Sequence, residues 1–124
     1  MKELFFVYGT LKEGYGNHHY LNDDTVKPLG QFQTEPKFTM LSCGGFPAVM
    51  CEGDTTIQGE LYETENPDVI RRVYGLEGFT GKKGAAGNWY DVEEIETPHG
   101  KASMFVFRKP SDSLRQKIVA NGKW

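Results

Sequence analysis

At 124 residues, with 38% hydrophobic and 13% aromatic side chains, the chain has the size and composition of one globular domain, residues 1–124. Such a domain can bury a core without staples. A formal charge of −3, with basic residues scattered apart from Arg71-Arg72 and Lys82-Lys83, argues against a nucleic-acid-binding surface. No apolar run approaches the roughly 18 residues of a membrane span, and the opening MKELFFVY is too short and too acidic for a signal peptide, so the cytoplasm is the expected compartment.

The first element is Leu4 to Tyr8, a continuous apolar run with aromatic and β-branched residues that reads as a buried strand. The polar, glycine-punctuated segment after it predicts only a short helical turn around His18 to Leu21. Weak alternation over Gly30 to Thr39 predicts one strand near Gly30–Thr34. A turn at Gly44-Gly45 leads to a strand starting at Ala48. Ile57 to Glu63 alternates apolar and polar, the mark of a half-buried strand.

One helix is well signalled. Asn66 is a good N-cap, Pro67 suits the first helical position and Asp68 the first turn. Val69, Ile70 and Val73 form its apolar face, and the stop falls around Leu76-Glu77, between Gly75 and Gly78. GKKGAAGN reads as a loop. Trp89–Glu96 and Ala102–Phe107 are two more strands, a hairpin turning at Pro98-His99-Gly100, and a short helix is expected over Ser113–Ala120. Trp124 is expected to cover the core. Neighbouring strands joined by short turns imply a mainly antiparallel sheet in an α+β chain, with no repeat and no βαβ series.

Several chemistries fail on the residues. Gly9 and Gly14 have the spacing of a phosphate-binding loop after a strand, but Tyr15-Gly16 stand where Lys-Ser or Lys-Thr should be. No clear helix opens at the third glycine, so the dinucleotide pattern fails as well. His18, His19, His99, Cys43 and Cys51 show neither H-x-x-x-H nor C-x-x-C spacing, so no metal site is expected. Without a secretion signal the two cysteines are expected as free thiols. Ser42-Cys43-Gly44-Gly45 is no nucleophile elbow. What remains is a single carboxylate, Glu77, in Tyr74-Gly75-Leu76-Glu77-Gly78-Phe79. The negative end of a helix dipole and partial burial would both disfavour its ionised form, a setting found at functional carboxylates as well as at ordinary solvated helix ends.

Taken in order, Val7-Tyr8-Gly9-Thr10-Leu11-Lys12 with Gly14 and Asn17, Phe46-Pro47-Ala48, Gly59-Glu60-Leu61-Tyr62, Leu76-Glu77-Gly78, Tyr90, Ala102 with Phe105-Val106-Phe107, and Asn121-Gly122-Lys123-Trp124 span the chain. This ordered set resembles the γ-glutamylcyclotransferase-like superfamily, in particular its AIG2-like and γ-glutamylamine cyclotransferase branch. The resemblance implies a small mixed, mainly antiparallel β-barrel with flanking short helices. It implies Glu77 as the catalytic acid/base, with Tyr8, Gly9, Thr10, Leu11 and Tyr90 binding substrate, and neither cofactor nor metal. Three departures lie close to the implied pocket: Tyr74 and Val92 stand where the family often has an aspartate and an arginine, and GKKGAAG lengthens the stretch before Tyr90. They bear on the substrate more than on the fold.

The implied reaction is intramolecular: the α-amine of a γ-glutamyl group attacks its own γ-carbonyl, giving 5-oxoproline and a free amine or amino acid. Holding the substrate folded exploits effective molarities of about 10⁵–10⁸ M. Successive N–H groups through Thr10 and Leu11, opened by Gly9, can converge on a carboxylate. Two rival readings use the same fold, a non-catalytic small-anion-binding module and an acyltransferase or lyase acting on a larger γ-glutamyl substrate. The leaving amine is not readable from the sequence. The partner is expected to be a small γ-glutamyl molecule, with no nucleic acid or membrane partner, and the chain a monomer or weak homodimer.

Overall fold

The computed structural model describes residues 2–9, 11–12, 18–44, 46–76, 90–107, 113 and 116–124. Among the described residues the strands are β1 (Glu3–Val7), β2 (Val26–Gln33), β3 (Phe38–Ser42), β4 (Pro47–Thr55), β5 (Gln58–Thr64), β6 (Asp91–Thr97) and β7 (Gly100–Val106); helix α1 (Pro67–Leu76) follows β5, and a 3₁₀ turn covers His18–Tyr20. A five-stranded sheet runs β2-β5-β1-β7-β6, and β3 and β4 form a separate hairpin. Pairing is antiparallel throughout except between β1 and β7. The chain is therefore α+β with strands dominating, as expected.

The expected barrel is not closed. Among the described residues, β2 and β6 are the two edges of the larger sheet. The hairpin packs across that sheet instead of extending it: Phe38, Met40 and Val49 share one core with Phe6, Leu61, Met104 and Val106. One backbone bond ties the end of β7 to β4, from the Phe107 N–H to the Val49 carbonyl at 2.8 Å.

The buried run at the N-terminus divides by its period of two. Leu4, Phe6 and Tyr8 enter the hairpin-side core, while Phe5 and Val7 enter a second core beneath α1, with Val69, Val73 and Phe105. Helix α1 starts where Asn66 predicts, because the Asn66 side chain accepts the Asp68 N–H at 3.0 Å. At Gly59 an added Cβ would strike the Val7 carbonyl and the Phe6 ring, so this central crossing of β5 and β1 admits only hydrogen there.

Three further expectations fail in the fold. The strand near Gly30–Thr34 is longer, starting at Val26, and β3 was not anticipated. The expected helix over Ser113–Ala120 is also wrong beyond Ser113, residues 114 and 115 lying outside the described set. Ile118 bridges Leu41 in antiparallel fashion. The Ser42 N–H donates to the Lys117 carbonyl at 2.7 Å, and the Val119 N–H to the Met40 carbonyl at 2.8 Å. The free edge of β3 offers unpaired backbone groups, and the β-branched Ile118 and Val119 suit an extended partner better than a helix. Beyond them, Trp124 packs on the hairpin-side core.

Candidate active site

The site grows from the end of β1. That strand is buried to Tyr8, and the Tyr8 hydroxyl donates to the Phe105 carbonyl at 2.6 Å. The side chain of this expected substrate-binding residue is thus committed to the hairpin-side core. The chain then turns: the Lys12 N–H donates to the Gly9 carbonyl at 3.0 Å. Leu11, 3% exposed, drops into the helix-side core. His18 Nδ1 stands 3.0 Å from the Leu11 carbonyl, which can only accept, so that nitrogen carries the proton.

Gly9 is needed for close approach. An added Cβ would sit 2.9 Å from two ring carbons of Pro47, and its φ is not left-handed. The next link is polar, since the Pro47 carbonyl accepts the hydroxyl of buried Tyr90 at 2.9 Å. Tyr90 also packs edge-on to Phe107, ring centroids 6.0 Å apart. Gly9, Pro47 and Tyr90 thereby form one connected unit, and Leu11 and Tyr90 share a core against which Leu76 packs. Thr10 and Glu77, the other two expected site residues, lie outside the described residues. So does the GKKGAAG loop.

Two neighbours were singled out by the motifs without a role. Lys12 is only 6% exposed, and burial pushes its ammonium pKa below the usual 10.5; Glu60 opposes that shift and Lys123 adds to it. Three residues before Glu77, the Tyr74 hydroxyl donates to Glu3 Oε1 at 2.9 Å, and Ser103 Oγ donates to the same oxygen at 2.9 Å. Nothing in the local sequence placed Pro47 against Gly9 or Glu60 beside Lys12; these meetings come from strand order.

Cys43 and Cys51 are free thiols, and burial pushes the Cys43 thiol up, away from the nucleophilic thiolate. Among the described residues no three His, Cys, Asp or Glu side chains gather as metal ligands. No described helix is long and apolar enough to cross a membrane.

The family described as gamma-glutamyl cyclotransferase, AIG2-like, matches residues 5–124. YtfP of Escherichia coli K12, a gamma-glutamylcyclotransferase family protein, is 30% identical over 119 residues, 96% of this chain and 93% of that one. The solution structure of E. coli ytfP superposes with a TM-score of 0.71 at 29% identity, covering 98% of this chain and 95% of that one. An AIG2-like protein from Mus musculus shares the fold, with a TM-score of 0.77 at 17% identity over 99% of this chain and 88% of that one. The gamma-L-glutamyl-butirosin B gamma-glutamyl cyclotransferase of Niallia circulans is 31% identical over 91 residues, 73% of this chain and 55% of that protein. The chain belongs to the γ-glutamyl cyclotransferase, AIG2-like family, and it is an enzyme of the cyclotransferase type.

Proposed function

We propose that the enzyme converts a γ-glutamyl amine or amino acid to 5-oxoproline and the free amine, with Glu77 as acid/base. The α-amine forms the new C–N bond to the γ-carbonyl carbon, and the bond from that carbon to the leaving nitrogen breaks. Glu77 takes a proton from the α-ammonium, which frees the nucleophile, and delivers it to the departing nitrogen. The backbone from Tyr8 through Gly9, Thr10 and Leu11 holds the substrate's carboxylate, and Tyr90 walls the pocket beside it. No external nucleophile is required.

The observation that supports this reading is the connected unit Gly9–Pro47–Tyr90, on a core shared with Leu11 and with Leu76, the residue that precedes Glu77. Residues far apart in the chain meet here, which gives the end of β1 the rigid support that an anion cradle would need. Rigidity matters because most of the rate enhancement of a cyclisation comes from holding amine and carbonyl in line.

The test is 5-oxoproline release from a panel of γ-glutamyl amino acids, γ-glutamylamines and ε-(γ-glutamyl)lysine, with wild type beside Glu77→Gln. The variant is expected to keep the wild-type melting midpoint and lose about 10²–10⁴-fold in kcat, the usual worth of positioned acid–base catalysis. Full turnover by Glu77→Gln would remove Glu77 from the mechanism. Absence of release by the folded wild type on every substrate would overturn the reaction.

A further inference from the structure

His18 shows no metal-ligand spacing and takes no part in the proposed chemistry, yet its imidazole is built into the turn at the end of β1. One peptide unit of that turn, between Leu11 and Lys12, is held at both ends. Its N–H donates to the Gly9 carbonyl at 3.0 Å, and its carbonyl accepts from His18 Nδ1 at 3.0 Å. A trans peptide is planar, with these two groups on opposite sides, so anchoring both fixes the plane. The Leu11 side chain is seated in the helix-side core. With that side chain and the carbonyl both fixed, the tetrahedral Cα leaves one position for the Leu11 nitrogen. The backbone after Gly9 is therefore shaped from outside the turn, by a residue seven positions beyond Leu11.

His18 is itself held on two sides. Its own carbonyl accepts the N–H groups of Leu21 at 2.8 Å and Asn22 at 3.1 Å, and Leu21 enters the same core as Leu11, with Val69 and Val73 of α1. On the ring side, the imidazole lies against Tyr62, centroids 5.8 Å apart and planes tilted by 54°. Tyr62 is buried in β5, and its hydroxyl donates to Glu60 Oε1 at 2.9 Å. The ring thus rests on the sheet and the main chain on the helix-side core, with Nδ1 aimed at the Leu11 carbonyl. A side chain that only filled space against Tyr62 would need no donor; the donor adds direction, and a supporting shell of this kind is what fixes the geometry of a binding backbone.

We infer that His18 is a positioning residue for the substrate: through its bond to Leu11 it keeps the turn after Gly9 in the shape that receives the substrate's α-carboxylate. The inference rests on the cyclotransferase reading above. In this role His18 touches no reacting atom and acts through the Leu11–Lys12 peptide. The product 5-oxoproline keeps the same carboxylate, so its binding reports on the turn without turnover.

The experiment separates the ring from its donor. His18→Phe keeps a ring on Tyr62 and removes the N–H; His18→Asn drops the ring and keeps an amide N–H close to the Nδ1 position. For wild type and both variants, Kd for 5-oxoproline is measured by calorimetry. In parallel, kcat/KM per folded molecule is measured on the panel substrate that wild type turns over fastest. His18→Phe is expected to weaken both about three- to tenfold, the loss of one neutral hydrogen bond, while His18→Asn stays within about twofold of wild type. Long-range ¹H–¹⁵N spectra of wild type should show a proton on Nδ1. Unchanged Kd and kcat/KM in folded His18→Phe overturn the inference and leave the cyclotransferase intact. Equal losses in the two variants, or a wild-type ring protonated on Nε2 alone, overturn it too. If His18→Phe does not fold, His18→Ala takes its place, and its difference from His18→Asn decides. If wild type releases 5-oxoproline from no panel substrate, the cyclotransferase reading fails and calorimetry alone judges His18: donor-dependent binding of 5-oxoproline supports its role, and the absence of such binding rejects it.

Discussion

The two faces of the five-stranded sheet solve different problems. The hairpin-side core gathers Leu4, Phe6, Met40, Val49, Leu61 and Met104, and the hydroxyl of its Tyr8 donates to a backbone carbonyl. On the helix side, three tyrosine hydroxyls are anchored at the margin of the core: Tyr62 on Glu60, Tyr74 on Glu3 and Tyr90 on Pro47. Lys12 is buried near the same margin. Apolar contacts are forgiving of small shifts, whereas each anchored hydroxyl specifies a position, because losing its partner costs a full desolvation. The first face supplies stability and the second supplies placement. Strand β1 belongs to both, so the packing of Phe6 and Met104 is what holds the Gly9 turn at the end of that strand in register.

If this division is right, a deep cut in the hairpin-side core should damage stability alone. Met104 is fully buried and pairs with Phe6 across β1 and β7. Met104→Ala is expected to cost about 2–5 kcal/mol, the transfer and cavity terms together. A domain of this kind has about 5–15 kcal/mol in hand, so the variant still folds at low temperature. Urea titration should show a lower midpoint with an unchanged slope, and 5-oxoproline release per folded molecule at 10 °C should match wild type within about twofold. A large loss of kcat in the folded fraction would break the division.

The opposite experiment removes one oxygen on the helix side. Tyr90→Phe keeps the ring against Phe107 and leaves the Pro47 carbonyl without the hydroxyl it accepts. Stability should fall by about 1–3 kcal/mol. Because Pro47 abuts Gly9, kcat/KM should fall as well, by about tenfold, equivalent to about 1.4 kcal/mol of transition-state binding. Unchanged kinetics would mean that the Gly9–Pro47–Tyr90 unit is only packing.

What could be read from the residues follows the same contrast between local and distant causes. Helix α1 was legible because its cap, its Pro67 and its apolar face lie within ten residues of one another. β1 was legible because five consecutive apolar side chains have few other ways to be buried. Strand β3 was not, since FTMLS has no alternation of its own and is extended by its partners, β4 on one side and Lys117 and Val119 on the other. The same pairing made the C-terminal helix expectation wrong. At the end of β1, a strand running into a glycine turn was visible in Val7-Tyr8-Gly9. The Tyr90–Pro47 bond joins positions 43 residues apart, and no local pattern signals it.

The smallest expected effect is also the one most specific to placement. Tyr74 stacks edge-on to Phe5 and Phe105, and its hydroxyl, donating to Glu3, has its pKa pushed up to about 12, mainly by burial and then by the negative charge of Glu3, while Ser103 pulls the other way. Tyr74→Phe keeps the ring contacts and should lose about 0.5–1.5 kcal/mol at pH 8. The alkaline behaviour fixes the sign. A raised folded-state pKa means that the unfolded chain, with its tyrosine near 10.0, releases the proton first. Tyr74 therefore adds stability that is fully present below pH 10 and is lost as the pH rises toward 12. Every other residue is common to both proteins, so the difference between wild type and Tyr74→Phe isolates this one. Urea midpoints at intervals from pH 8 to pH 11.5 should show the wild-type advantage shrinking above pH 10. A constant difference across that range would mean that the hydroxyl contributes through shape alone and that Glu3 does not hold it.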